Sequence, residues 1–129
     1  MSHARTFSPN MPLFDKYGGL SGLRSVIMDF YDRVLDSDVV GHFFEDVDMP
    51  RLVDHQTKFF AALLNGPVQF AEERLVRAHA NLKVTDIEFD EIAELLQETL
   101  TEAGFTEDDR KSVLTAVEAR RPLIVKRGS

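Results

Sequence analysis

Few residues in this chain have side chains suited to chemistry, and their spacing is what gives them weight. His55 and Gln56 stand in the run LVDHQTKFFAALLNGP, His79 in LVRAHANL, and Tyr31 in DFYDRVL. Leu52, Gln56, Phe59, Phe60 and Leu63 recur three or four apart, so a helix there carries Gln56 within its apolar face. His55 lies three after Leu52 and four before Phe59, and is expected on that same face. His79, four after Leu75 and three before Leu82, belongs to the apolar face of a second segment. Taken singly, each has an ordinary explanation. A histidine on an apolar face is more often a hydrogen-bonded core residue, a buried amide can be satisfied by backbone or water, and a core tyrosine can reach a carbonyl. Together they bring several costly polar groups to one interior without evident partners. Two histidines do not make a zinc site, His42 sits in a loop as a poor third ligand, and there is no cysteine. HExxH, GxSxG, a phosphate loop and GxGxxG are all missing from the sequence. A flat apolar cofactor with one central metal needs one histidine, a slot and aromatic walls. Haem meets that description.

Positioning such a slot falls to helices, because helical periodicity dominates and no convincing alternating strand is present. Residues 1–12 read as a flexible leader and 13–129 as one domain. Leu13 to Tyr17 allows a turn or two before Gly18-Gly19. Ser21 is expected to cap a helix to about Leu35, with Leu23, Ile27, Phe30 and Val34 inward and Val26, Tyr31 and Leu35 beside them. In the connection VVGHFFEDVD, one of Phe43 and Phe44 should dip inward. Asp48 can cap the next helix, Pro50 is tolerated in its first turn, and Asn65-Gly66-Pro67 stops it. Residues 68–74 read as partly irregular, with a short helix around 75–80. Thr85 and Glu88 form a capping-box pair for a helix to about Ala103, with Phe89, Ile92, Leu96 and Ala103 inward, Leu95 and Leu100 adjoining, and Gly104 ending it. Thr106, followed by three acids, opens a last helix with Val113, Leu114, Val117 and Leu123 inward, kinked or loosened by Pro122. Arg120, Arg121, Lys126 and Arg127 suit a helix C-terminus and read as a solvated tail. The fold class is all-α, with four principal helices and an irregular middle.

Composition narrows the functions further. A 129-residue chain with 43% hydrophobic and 29% charged residues is expected to fold as one globular domain. Its net charge of -7 and pI near 5.0 oppose general binding to nucleic acid or anionic membranes. No apolar run reaches transmembrane length, the first residues lack a signal peptide's hydrophobic segment, and the missing cysteines fit a reducing cytoplasm.

From about Leu13 to Val125 the sequence resembles the group I truncated haemoglobins, short globins built as a two-over-two helical sandwich around haem. FDKYGG, DFYDRVL, HFFEDVDM, HQTKFFAALLNGP, LVRAH and LKVTDIEFDEI carry the resemblance. It implies haem b, with His79 as proximal iron ligand and Phe44 packed on the haem face. Tyr31 and Gln56 match the distal pair that hydrogen-bonds a bound ligand. Leu52 takes a position where many globins carry a distal histidine or glutamine. Phe59 and Phe60 match the distal aromatic wall, and Leu75, Phe89 and Ile92 the porphyrin contacts. Arg51 is a candidate for a haem propionate. Asn65-Gly66 replaces the usual glycine pair after the distal helix. His55 occupies a position used by some relatives as a sixth iron ligand.

The resemblance implies binding of oxygen and other diatomic ligands, with nitric oxide dioxygenase activity that depends on an external reductase, in a cytoplasmic monomer or weak dimer. Two alternatives remain at this point: a bis-histidyl haem protein for electron transfer or nitrogen-oxide and peroxide chemistry, and a haem-free helical interaction module.

Overall fold

The computed structural model describes residues 13–64 and 83–125. The expected leader, the break at Asn65-Gly66-Pro67, the irregular stretch, the short helix with Leu75 and His79, and Lys126 and Arg127 lie outside the described residues. Helix α1 (Leu13–Lys16) precedes α2 (Gly19–Leu35), a 3-10 turn (Gly41–Phe44) and α3 (Met49–Leu63). Then come α4 (Asp86–Glu102), α5 (Glu107–Glu118) and α6 (Arg121–Ile124). The described residues contain no extended strand, only one isolated parallel bridge between Val84 and Val125. Helix α2 is the centre of the packing: it lies against α3 and α4, and α4 in turn lies against α5. No described helix is long and apolar enough to cross a membrane.

Local chemistry sets most of the boundaries. Asp48 caps α3 by accepting the Arg51 backbone N–H at 3.2 Å, with Pro50 in the first turn where its missing donor costs nothing. Thr85 and Glu88 complete the expected capping box: Thr85 Oγ1 accepts the Glu88 N–H at 3.2 Å, and Glu88 Oε1 accepts the Thr85 N–H at 2.9 Å. Helix α4 closes in a Schellman arrangement. Gly104 has φ 89°, its N–H donates to the Thr101 carbonyl at 3.1 Å, and the Phe105 N–H donates to the Leu100 carbonyl at 3.0 Å. Thr106 caps α5 by accepting the Asp109 N–H at 3.2 Å.

The start of α2 differs from expectation. It begins at Gly19, and its N-cap is Gly18, at φ 97°, so Ser21 is already inside the helix. A glycine can enter the left-handed conformation at little cost and open the helix without a side-chain cap.

Leu23, Ile27, Phe30 and Val34 form the inner line of α2 as expected, joined by Tyr31; Val40, Val53, Phe60, Ala61, Leu64, Leu96, Leu100, Phe105 and Val113 complete the main core. Leu35 and Ala103 are exposed, against expectation, because each falls at the terminus of its helix, where no neighbour covers it. Pro122 does not kink α5. That helix stops at Glu118, and Pro122 sits in the first turn of the separate α6, where a missing N–H is harmless.

The largest departure concerns the basic end. Arg121, expected in a solvated tail, is 14% exposed and surrounded by carboxylates of α4 and α5. Another tie was not anticipated. Tyr17 stacks on Phe105 with ring centroids 3.6 Å apart, and its hydroxyl donates to Asp109 Oδ2 at 2.5 Å beside the Lys16 ammonium at 2.7 Å. Burial pushes the Asp109 carboxyl up, but hydrogen bonds from Lys16, Tyr17 and Thr106 outweigh it and hold the group below the ordinary range.

Candidate functional site

Between the main core and a smaller cluster of Val84, Phe89 and Val125 lies a cavity of about 350 Å³. That is within the range of small-molecule and cofactor pockets, roughly 300–1,000 Å³. Each helix from α2 to α6 contributes to it. Helix α2 supplies Phe30 and Tyr31, the 3-10 turn Phe43 and Phe44, and α3 Leu52, Gln56, Phe59 and Phe60. Helix α4 supplies Glu88, Phe89, Ile92 and Leu96, with Val117 from α5 and Ile124 from α6. Val40, Val47, Val84 and Arg120 fill the connections. Aromatic and aliphatic side chains make up most of the described walls, and among the described residues the polar lining side chains are Tyr31, Gln56, Glu88 and Arg120.

Tyr31 and Gln56 meet at this wall. Tyr31 is 5% exposed, and its ring makes edge contacts with Phe30 at 4.9 Å and Phe44 at 5.6 Å between centroids. Burial pushes its phenol far above the ordinary tyrosine value, and a side-chain hydrogen bond with Gln56 opposes that rise without reversing it. The phenol therefore keeps its proton throughout the neutral range. Gln56 is half-buried, one helical turn from Leu52 and next to the Thr57 whose hydroxyl is spent on the Val53 carbonyl at 2.7 Å. An apolar slot with a protonated phenol and an amide on one side can bind a flat hydrophobic group and donate hydrogen bonds to something small held beside it.

Of the residues expected from the sequence, the structure brings Tyr31, Phe44, Leu52, Gln56, Phe59, Phe60, Phe89 and Ile92 to the one cavity. Both Phe43 and Phe44 line it, where only one aromatic of that pair was expected to turn inward. His79 and Leu75 lie outside the described residues. His55 requires a correction: it is exposed and does not line the cavity. At roughly 100° per residue, Gln56, Phe60 and Val53 fall within about 100° on one side of Leu52, whereas His55 falls about 60° on the other. A three-or-four spacing to single apolar residues therefore put it beside the stripe, not in it. Arg51 is exposed as well and is not a lining residue. His42 is on the surface, its ring 4.2 Å from that of Phe43 and its Nε2 3.7 Å from Glu88 Oε2. Among the described residues no group of three His, Asp or Glu side chains could hold a metal ion.

Arg120, Val117 and Ile124 were missed as site residues. Their signal was present, since Val117, Arg120 and Ile124 continue at helical spacing from Val113, but Pro122 and the basic neighbours suggested a loosened tail instead. Arg120 is half-buried and donates to the Ala116 carbonyl at 2.7 Å. Glu88 was read for its capping role alone, and it performs that role at the cavity's edge.

Residues 12–125 match the family described as bacterial-like globin. By sequence the chain is 34% identical over 95 residues to a group 1 truncated haemoglobin of Tetrahymena pyriformis, covering 74% of this chain and 78% of that relative. It is 35% identical over 100 residues to a group 1 truncated haemoglobin of Synechocystis, covering 74% and 81%. Among solved structures, the Fe(III) form of the Tetrahymena pyriformis truncated haemoglobin superposes with a TM-score of 0.83 at 29% identity, over 91% of this chain and all of that one. The 2/2 haemoglobin from Synechococcus, solved in the cyanomet state with covalently attached haem, superposes with a TM-score of 0.78 at 30% identity, again over 91% of this chain and all of that one.

Proposed function

The chain belongs to the bacterial-like globin family, with the all-α fold of a truncated globin, and from that premise we propose that it is a haem protein that binds oxygen and reacts it with nitric oxide. The observation that carries this reading is the pairing of the buried Tyr31 phenol with Gln56 in the wall of a mainly aromatic and aliphatic cavity.

The described walls fit haem. Phe44, Phe59, Phe60, Phe89, Leu52 and Ile92 offer flat apolar contacts, and Arg120 is a cation at the cavity edge suited to a cofactor carboxylate, a role for which the exposed Arg51 is less well placed. We assign the proximal ligand to His79, on the family resemblance. Haem supplies an iron that takes a diatomic ligand and changes oxidation state.

Tyr31 and Gln56 then act as hydrogen-bond donors to a ligand that gains negative charge. Because burial keeps the Tyr31 proton in place, the phenol donates at any physiological pH. Gln56 holds the phenol through their shared hydrogen bond and keeps an amide N–H for the ligand. The apolar walls exclude competing water, which strengthens both bonds. Retained oxygen suits reaction better than delivery. Bound haem would supply the one electron with which oxygen and nitric oxide give nitrate, and an external reductase in the cytoplasm would restore it. The exposed position of His55 favours a site open to ligand over one closed by a second histidine.

Loading the purified chain with haem b should give an intense Soret band. In the ferrous protein, Tyr31→Phe combined with Gln56→Leu should speed oxygen release about ten- to a hundredfold, the value of hydrogen bonds to a charged acceptor, about 1.5–3 kcal/mol. An unchanged rate would remove the roles given to these two side chains. Nitrate formation from nitric oxide, no faster than in free solution, would remove the dioxygenase reading while leaving ligand binding intact.

A further inference from the structure

Among the described residues Arg121 is the most heavily engaged side chain outside the cavity, and it stands directly behind one of the cavity's walls. Its Nη1 donates to Asp86 Oδ1 at 2.9 Å and to the Asp86 carbonyl at 3.4 Å. Its Nη2 donates to Asp90 Oδ1 at 2.5 Å and to Glu118 Oε1 at 3.0 Å, while Nε donates to Glu118 Oε2. Three carboxylates from α4 and α5 thus converge on one cation at the first residue of α6. The planar guanidinium meets these contacts with five N–H donors in fixed directions; an ammonium has three donors and no fixed fork.

The same guanidinium lies over an aromatic ring. Its central carbon is 4.3 Å from the centroid of Phe89. Phe89 is 3% exposed and lines the cavity, whereas Arg121 does not line it. The ring therefore separates the cation from the cavity: Arg121 covers one face, and the cavity meets what remains. The carboxylates fix the cation, and the cation fixes the ring. Next to this arrangement, the bridge between Val84 and Val125 ties the segment before α4 to the residue after α6, and Val84 and Ile124 line the cavity too.

We propose that Arg121 is a positioning residue for the haem pocket, clamping Phe89 as a fixed wall and thereby governing how long the cofactor is retained. The proposal rests on the haem reading given above. It assigns a pocket function to a residue that touches neither ligand nor cofactor. The bland alternative is that Arg121 only fastens α6 to α4, in which case its loss weakens the fold without any special dependence on Phe89.

A double-mutant cycle separates the two. The full chain, Arg121→Met, Phe89→Leu and the double variant are loaded with haem b, and transfer of haem to excess apomyoglobin is timed. Thermal midpoints of the four unloaded chains are measured in parallel. Arg121→Met should speed haem loss about 3- to 30-fold in the native background, the range a desolvated cation–π contact supports. In the Phe89→Leu background the same change should add less than about twofold, because the ring it positions is gone. The Soret circular dichroism, which reports the aromatic surroundings of the haem, should change in Arg121→Met. Arg121→Lys, which keeps charge near the ring but loses the fork, should give an intermediate rate and serves as the test if the Met variant does not fold. Equal acceleration in both backgrounds, or a lowered melting point of the unloaded chain with unchanged haem loss, overturns the proposal and leaves Arg121 as a fastening between helices. Failure of the native chain to take up haem at all is a different result, since it overturns the haem reading itself and this inference with it.

Discussion

Tyr31 and Tyr17 are the only tyrosines in the chain, and both are held above the ordinary phenol value for related reasons. Burial is the main cause at each, with the Asp109 carboxylate adding to it at Tyr17 and the Gln56 hydrogen bond opposing it at Tyr31. An unfolded phenol ionises near pH 10. Above that pH the unfolded chain gives up protons that the folded chain keeps, so the unfolded state binds fewer protons and stability falls as pH rises. Below it both states hold their protons and neither tyrosine contributes a pH dependence. Titrating phenolate absorbance should therefore show both tyrosines ionising at higher pH in the folded chain than in denaturant. A folded-state transition at the ordinary value in Tyr17→Phe, where only Tyr31 remains, would mean that its hydroxyl is wet, and the donor role would lose its basis. Legibility at this scale was uneven for a physical reason. Gln56 was found because an amide within a wide apolar stripe stands out, whereas His55 lay at the stripe's margin, where spacing alone does not separate inside from outside.

At the scale of elements, the sequence was most legible where structure is made locally. The Asp48, Thr85 and Thr106 caps and the Gly104 stop each need only a few neighbouring residues, and each formed where expected. Features that depend on contacts across the chain were opaque. Nothing near Arg121 in sequence reveals Asp86 and Asp90, which lie 35 and 31 positions away, and Tyr17 gives no hint of Asp109. The junction of α1 and α2 shows how tightly such a join can be set. A Cβ on Gly22 would overlap the Tyr17 carbonyl oxygen, which is backbone and cannot rotate away. Alanine is favoured over glycine inside a helix by about 1 kcal/mol. The overlap works the other way, because relieving it displaces the α1 end that carries Tyr17 onto Phe105 and Asp109. Overpacking typically costs about 1–3 kcal/mol, so Gly22→Ala should lower the urea midpoint with little change in slope. A raised midpoint would show that the join yields easily.

For the whole molecule, the all-α class was legible because helical periodicity dominates the chain, and a slot was expected because polar residues interrupt the apolar faces. What periodicity did not supply was the division of the interior into a packed part and a hollow part. Ile27, Phe30, Val34 and Leu96 are all fully or nearly buried, yet Phe30 and Leu96 face the cavity and Ile27 and Val34 do not. This division makes a prediction about stability. A ligand that binds only the folded chain stabilises it in proportion to the logarithm of its concentration, by about 2.7 kcal/mol at a hundredfold excess over its dissociation constant. Haem b should thus raise the melting temperature by several degrees or more, increasingly with free haem, and extraction of the haem should reverse the gain. Ile27→Val removes a methylene from the packed part and should cost about 0.5–1.5 kcal/mol in loaded and unloaded chains alike. Phe89→Leu alters the hollow part, so it should cut the stabilisation conferred by haem by more than Ile27→Val does. Scanning calorimetry of the three chains with and without haem provides the comparison. Identical haem-induced shifts in all three would mean that Phe89 is not a cofactor contact, and the cavity bounded by α2 to α6 would then not be where haem is held.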